Sequence, residues 1–447
     1  MVEQVSSLKT GIKYKNTPIG KIPVDWEVKK LIDTASNEKY SFTGGPFGSD
    51  LKENTYTDYG VRIIQLQNIG DGRFLDDYKI FTSEEKANQL KNCNIYPGDI
   101  IIAKMADPVA RACIIPDVDK RYLMASDGIR LSVNKEKYDV KFMLYAINSP
   151  NFRNNAENHS TGSTRLRIGL TELKNLLIAI PPLKDQKKIA DILKTVDKAI
   201  EKADQIIEKT KEVKKALMQK LLTRGIGHKN FKKTEIGEIP VAWKVKKLID
   251  TANNERYSFT GGPFGSDLKE SSYTDRGVRI IQLQNIGDGI FLDDYKIFTS
   301  EEKANQLRNC NIFPGDIMIA KMADPVARAC IIPNMDKRYL MASDGIRLSV
   351  NKSEYDVKFI LYAINSHRFR KNAVKHSTGT TRLRIGLTDL KNMPIEIPPL
   401  EEQKQIAKIL STVDQEIEKE VSHKEQFESF KKGLMQVLLT GKIRVSV

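Results

Sequence analysis

The chain has 447 residues, 40% of them hydrophobic, which excludes a wholly disordered protein and exceeds what one compact core usually holds. Lysine and arginine outnumber aspartate and glutamate by 72 to 57, a net charge of +15 that points to a polyanionic partner, nucleic acid ahead of an anionic membrane. No apolar run approaches the roughly 18 residues that span a bilayer and no signal-peptide apolar stretch follows Met1, so a cytoplasmic protein free of membrane is expected.

The chain is one module written twice. Trp26 to Leu222 return as Trp243 to Leu439, an offset of 217, with no insertion or deletion. Between Ser41 and Thr171 only about 18 positions differ from Ser258 to Thr388, which predicts two equivalent binding faces, whether by selection or by recent duplication. Within the first copy, short apolar runs separated by turns predict strands at Val61 to Leu66, Asp99 to Ala103, Ala112 to Ile115 and Ile129 to Val133. Ser83 ahead of Glu84 and Glu85 marks a helix start, and Val140 to Asn148 places Phe142, Tyr145 and Ala146 at helical spacing. An α+β globule from about Ile22 to Ile180 follows.

Pro181 and Pro182 end the preceding strand, and the period then changes. Apolar residues fall at Ile189, Ile192, Val196, Ala199, Ala203, Ile206, Val213, Leu217 and Leu221, with Thr210 in the same row: steps of three and four that make a heptad seam. Lys184 to Arg224 contains neither Pro nor Gly, predicting one uninterrupted helix roughly 55 Å long at about 1.5 Å per residue. The second copy, Glu402 to Leu439, keeps Ile406, Leu410, Val413, Ile417, Phe427, Leu434 and Leu438. The two helices are expected to pair antiparallel, because a twofold axis across the pair relates the copies in the simplest closed way. The alternative is that each helix packs on its own globule.

Cys93 with Cys113 and Cys310 with Cys330 have a spacing unlike a metal site and are expected to be free buried thiols. The five histidines form no cluster, and neither metal nor cofactor is expected.

Several motifs recur in both copies. They are Ile-Pro-Val-Asp-Trp at 22 to 26 with Lys30-Leu31, Gly-Pro-Phe-Gly-Ser at 45 to 49, Pro-Gly-Asp-Ile at 97 to 100, and Ser-Thr-Gly-Ser-Thr at 160 to 164. Pro-Pro-Leu-Lys-Asp-Gln at 181 to 186, matched by Pro-Pro-Leu-Glu-Glu-Gln at 398 to 403, and Leu-Met-Gln-Lys-Leu-Leu-Thr at 217 to 223 are the most specific. On these motifs the chain resembles, over nearly its whole length, the DNA specificity subunits of Type I restriction-modification systems. The resemblance implies two recognition domains, each reading half of an interrupted double-stranded DNA site. It further implies two methyltransferase subunits docked on the helices, ATP-dependent restriction subunits joined through that core, and adenine as the modified base, flipped into a partner's pocket. Most such subunits carry dissimilar recognition domains. Near-identity here puts an asymmetric target in doubt.

The expected fold is therefore α+β: two repeated, mixed target-recognition domains separated by two long helices in an antiparallel coiled coil with pseudo-twofold symmetry. The boundaries are a segment at 1–20 packing near the C-terminus, recognition domains at 21–182 and 226–399, a spacer helix at 183–225, and a second helix with tail at 400–447.

The strongest candidate for DNA contact is Ser160, Thr161, Ser163, Thr164, Arg165 and Arg167, repeated as Ser377, Thr378, Thr380, Thr381, Arg382 and Arg384. Small hydroxyls on a turn approach phosphates, and arginines two apart share a face if the segment is extended. Gly44, Gly45, Phe47, Ser49 and Lys52, with Gly261, Gly262, Phe264, Ser266 and Lys269, would form a rigid loop bringing backbone amides to the duplex; the competing view is a plain turn. Gln65, Gln67 and Asn68, with Gln282, Gln284 and Asn285, offer amides for adenine edges or a structural amide network. Lys104, Arg111 and Arg130, with Lys321, Arg328 and Arg347, offer phosphate or guanine contacts or are merely solvated charges. Tyr59/Arg276, Arg73/Ile290, Asn151/Arg368 and Glu157/Val374 differ between copies and are expected to be peripheral.

The function expected is a non-catalytic specificity subunit reading an interrupted, near-palindromic bipartite site. The rival is a stand-alone DNA methyltransferase or nuclease. A methyltransferase needs a glycine-rich cofactor loop and an Asn/Asp-Pro-Pro-aromatic motif, which the sequence lacks, and Asp50-Leu51-Lys52 has no convincing upstream acid for a nuclease.

Overall fold

The computed structural model describes residues 13–105, 107–163, 165–380 and 382–445. They form two compact units, one built from the residues up to Asp204 with those from Ser422 onward, the other from Gln205–Val421. Each unit holds one α+β module and a stretch of both long helices, which span Leu183–Arg224 and Leu400–Leu438.

In the first unit the hairpin of Tyr14–Thr17 and Gly20–Pro23 precedes strand Glu27–Lys30, which pairs antiparallel with Leu177–Ile180 at the far end of the module. Two sheets lie between them. A four-stranded antiparallel sheet runs in the order Ala112–Ile114, Ile100–Ala103, Gly128–Leu131, Phe42–Gly44. A five-stranded sheet runs Tyr56–Thr57, Ile80–Thr82, Val61–Ile64, Tyr122–Met124, Asn94–Ile95, with a parallel pairing between Val61–Ile64 and Tyr122–Met124. The second unit repeats both sheets in the same order.

Ile100–Ala103 shows why its sequence is apolar without alternation. Ile100 and Ile102 enter the larger core with Trp26, Phe142 and Leu193, while Ile101 and Ala103 enter a second core with Ile63, Ile64 and Tyr122. A strand covered on both faces has no solvent side to mark with polar residues. The predicted strands stand as Val61–Ile64, Ile100–Ala103, Ala112–Ile114 and Gly128–Leu131. The first ends early because Leu66–Asn68 turns as a short 3-10 helix, closed by the Gln65 amide donating to Asn68 Oδ1 at 3.0 Å. Ser83 caps helix Glu84–Gln89 by accepting from the Lys86 amide, and Asp139 caps Val140–Ile147 by accepting from Phe142.

The repeated motifs are structural fasteners. Gln186, 1% exposed, accepts from the Asp139 amide at 2.9 Å and donates to Pro181 O at 2.8 Å, joining the long helix to the module's capped helix; Gln403 makes the same pair of bonds with Asp356 and Pro398. Gly441, at φ +68°, lets the chain after the second helix close on the first module: a Cβ there would stand 2.4 Å from Pro23 Cγ and 3.3 Å from Trp26. Gly225 does the same against Trp243. Tyr14 donates to Gly441 O, and Arg444 pairs with Asp25 and Asp185. Of the terminal residues expected to lie together, 1–12 and 446–447 are outside the described residues.

The helix stretches pair antiparallel inside each unit. In the first, Asp197 meets Lys431 and Asp204 meets Lys424, partners rising on one helix as they fall on the other. In the second, Lys214 meets Asp414, and Leu221 and Leu222 share a core with Ile406, Ala407 and Leu410. The seam departs from the expected apolar row. Val213 is 52% exposed while Ile207 is buried and Lys214 faces the partner helix. A lysine serves there because its ammonium stands 5.8 Å from the Tyr362 ring centroid and reaches Asp414 at 2.6 Å. Phe427 likewise stands 37% exposed rather than in the seam.

Asp197 and Asp414 each also take a hydrogen bond from the module: Tyr145 donates to Asp197 and Tyr362 to Asp414 at 2.6 Å. Burial, reinforced by the carboxylate, holds both phenols protonated far above their ordinary range. Tyr145→Phe and Tyr362→Phe should each lower unfolding stability by about 1 kcal/mol. Urea unfolding checks this, and equal losses in the two variants are expected because the geometry is repeated.

Candidate nucleic-acid interface

Three segments that are distant in sequence meet at one edge of each module. In the first unit the described residues 104–105 and 107–111 belong to the tip of the hairpin Ile100–Ala103/Ala112–Ile114, closed by Ala103 N donating to Arg111 O at 2.9 Å. On one side of the tip, Met105 bridges Arg167 and the Ile168 amide donates to Lys104 O at 3.0 Å. These bonds dock the loop 161–167, itself closed by reciprocal Thr161 and Arg167 bonds of 2.9 Å and turned by Gly162 at φ +106°. On the other side, Arg111 Nη2 donates to Leu66 O at 3.0 Å and so ties in the turn that carries Gln65 and Gln67. Beneath all three runs Ala125–Asp127, whose Ala125 amide donates to Ile64 O while Lys104 donates to Ser126 O and Asp127 O.

The edge is rich in cations. Lys104 is half-buried, and burial together with Arg167 pushes its ammonium below the ordinary lysine value, partly opposed by Asp127. Arg167 pairs with Asp127 at 3.0 Å but keeps half its side chain in solvent. Arg165 is exposed, and among the described residues it makes no ion pair. The second unit presents the same set in Lys321, Arg328, Arg382, Arg384 and Asp344. A half-buried ammonium beside exposed guanidiniums suits phosphate oxygens, which would replace Asp127 as counter-charge.

Several expected contacts lie elsewhere. Arg130 is 5% exposed and donates to Asp99 Oδ2 at 2.7 Å; Arg347 makes the same bond to Asp316. Both arginines fasten the sheet rather than face solvent. Asn68 and Asn285 are 0% exposed and bond to Leu75 O and Tyr78 O, and to Leu292 O and Tyr295 O, so the amide-network alternative holds for them. Gln65 is half-buried near the Tyr56 hydroxyl while Gln67 is exposed, because the 3-10 turn separates the two faces that an extended strand would have merged; Gln282 and Gln284 repeat this.

The glycines also have inward reasons. A Cβ on Gly45 would lie 1.9 Å from Ala125 O, and on Gly262 1.9 Å from Ala342 O, so glycine is needed for the protein's own packing. Gly44 and Gly261 back onto the lysines, a Cβ there standing 3.1 and 3.0 Å from Lys104 Nζ and Lys321 Nζ. The exposed members of the loop are Phe47, Ser49 and Lys52, with Phe264, Ser266 and Lys269.

In the hydroxyl loop, Ser160 and Ser377 turn inward and donate to Ala156 O and Ala373 O, both at 2.7 Å. Thr161, Ser163, Thr378 and Thr380 are exposed; Thr164 and Thr381 lie outside the described residues. Arg165 and Arg382 sit in the loop's turn and Arg167 and Arg384 in its closing strand, so each pair does not share one extended face. Among the unequal positions, Arg368 is engaged by Glu396 at 3.4 Å, and Glu396 replaces Ala179 of the first copy. Burial pushes the Glu396 carboxyl up despite that guanidinium.

The sequence reading missed Asp127, Met105 and the tip 105–110 that joins the three segments. Their one sequence signal is that Lys104 to Arg111 recurs unchanged as Lys321 to Arg328, and Arg121 to Arg130, with Asp127, as Arg338 to Arg347.

The comparisons with known proteins bear on this geometry. The chain matches, over residues 23–212 and 227–425, the family described as Type I restriction modification DNA specificity domain. A putative type I restriction enzyme MjaX specificity subunit of Methanocaldococcus jannaschii is 31% identical over 446 residues, covering 97% of each chain. The MjaVIII specificity subunit of the same organism is 31% identical over 330 residues, 73% of this chain and 75% of its own length. Among solved structures, a chain from work on complex assembly and conformational transition of the type I R-M system superposes with TM-score 0.59 at 15% identity, over 94% of this chain and 99% of its own. The S subunit of the M. genitalium Type-I system gives 0.52 at 15%, over 97% of both. Among the described residues no helix is long and apolar enough to cross a membrane.

The placement of the arginines separates folding from binding. Arg130→Ala should destabilise the chain by about 3–5 kcal/mol, since it leaves Asp99 buried and unpaired. Arg165→Ala should leave the melting temperature unchanged while weakening duplex binding and lowering its salt dependence. Thermal melts beside binding titrations at several salt concentrations measure both.

Proposed function

The chain belongs to the Type I restriction-modification DNA specificity family, and from that premise we propose that it is the non-catalytic reader that selects the site for its partner subunits. The observation that carries this is the basic edge: Lys104, Arg111, Arg165 and Arg167 with exposed Gln67 and Thr161, present twice with the same residues. Phosphate contacts from the lysines and arginines position the module, and Gln67 with the hydroxyl loop is placed to reach base edges.

Two readers with the same residues choose the same bases. Ser163 to Thr380 is the only change within the hydroxyl and arginine loop, and the tip 104–111 does not change at all. We therefore read the target as two equal half-sites separated by an unread gap, in palindromic order, as the antiparallel pairing of helix stretches favours. The partners are two methyltransferase subunits, which modify an adenine in each half, and ATP-dependent restriction subunits that join through them. The recognition domains are taken as 21–182 and 226–399, with the helices as spacers.

Mapping methylated adenines in cells carrying this chain with its methyltransferase tests the reading. An interrupted palindrome is expected, and unrelated halves would overturn it. Inserting one heptad after Asp204 and one before Ser422 should lengthen the unread gap by roughly 3 base pairs, from about 1.5 Å per helical residue against 3.4 Å per base pair.

A further inference from the structure

The glycine-rich loop carries one side chain that neither the fold nor charge recognition explains. Phe47 is 83% exposed, and so is its counterpart Phe264. Leaving a phenylalanine in water forgoes the favourable burial of its whole ring. Tyr59 is as exposed, but its counterpart is Arg276, whereas the phenylalanine recurs.

The backbone beneath the ring is held rigidly. Gly45 fits only because it has no Cβ, Pro46 is buried, and the Asp50 amide donates to Phe47 O at 2.9 Å. Gly48, next to the ring, faces open space, its would-be Cβ meeting nothing within 4 Å. The other apolar side chains of the segment, Phe42, Pro46 and Leu51, are buried, so the ring is the one apolar side chain that the segment turns to solvent. A protein-docking patch would need contiguous apolar area. An exposed ring on a braced backbone beside exposed Ser49 and Lys52, on the loop that backs onto Lys104, fits a polyanion with apolar faces stacked inside it.

We propose that Phe47 and Phe264 are wedges, each inserted at a base step of one half-site. The ring has no donor or acceptor, so it contributes by partly unstacking the step and favouring deformable sequences there. Lys52 and the Lys104 edge supply the flanking phosphate contacts. This rests on the DNA-reading function proposed above and adds a mechanism of selection at positions without hydrogen bonds.

The test uses the full chain assembled with its methyltransferase subunits and a duplex recovered by selection from a random pool. 2-Aminopurine is scanned through the recovered site. The wild-type complex should raise fluorescence several-fold at one step in each half. Because a palindromic site is bound in either orientation, Phe47→Ala and Phe264→Ala should each roughly halve the rise at both probed steps, the double variant should abolish it, and Phe47→Leu should retain most of it. The Ala variants should keep the wild-type melting temperature and bind about tenfold more weakly. Tight binding with no fluorescence change that depends on Phe47 or Phe264 would overturn the wedge and leave the DNA-reading function standing. Recovery of no preferred sequence would overturn both.

Discussion

Each unit depends on a carboxylate that serves three elements at once. Asp197 on the first long helix takes the Tyr145 phenol from the module and the Lys431 ammonium from the second helix; Asp414 takes Tyr362 and Lys214. A purely apolar seam tolerates sliding, because one leucine against another is nearly as good a heptad away. A half-buried Asp does not, since any slip leaves charges without partners in a poorly solvated place. The lock therefore fixes helix register and, through the tyrosine, the seating of the module on the helices.

The same division between rigid support and exposed contact governs the candidate interface. Arg130 with Asp99, and Asn68 with two carbonyls, lie under the surface and hold the strands and turns that present Arg165, Gln67 and Phe47. Burying a charged pair has a large desolvation cost, offset here by short bonds and by the Tyr96 ring against the guanidinium. What it provides is a surface whose side chains need little reordering on binding.

Where the two copies diverge, the changes cluster away from this surface or compensate locally. Asn151 in one copy is Arg368 in the other and Ala179 is Glu396, so the second copy holds a buried acid together with its cation where the first holds neither. The acid at the start of each long helix shows the same flexibility of means. Glu402 accepts from Trp243 and His228, whereas the shorter Asp185 is held by Arg444 and, among the described residues, leaves Trp26 Nε1 without a partner.

The duplicated plan, the α+β module, the long helices and the cap at Ser83 were legible in the sequence, because period, proline, glycine and capping residues act within a few positions of themselves. Which polar residues face solvent was not. Arg130, Asn68 and Lys214 look like surface groups in any local window, and their roles come from Asp99, Tyr78 and Asp414, brought to them by the fold. Only tertiary structure decided that three loops share one edge around Asp127, since pairing between distant segments depends on summed packing that no short stretch encodes.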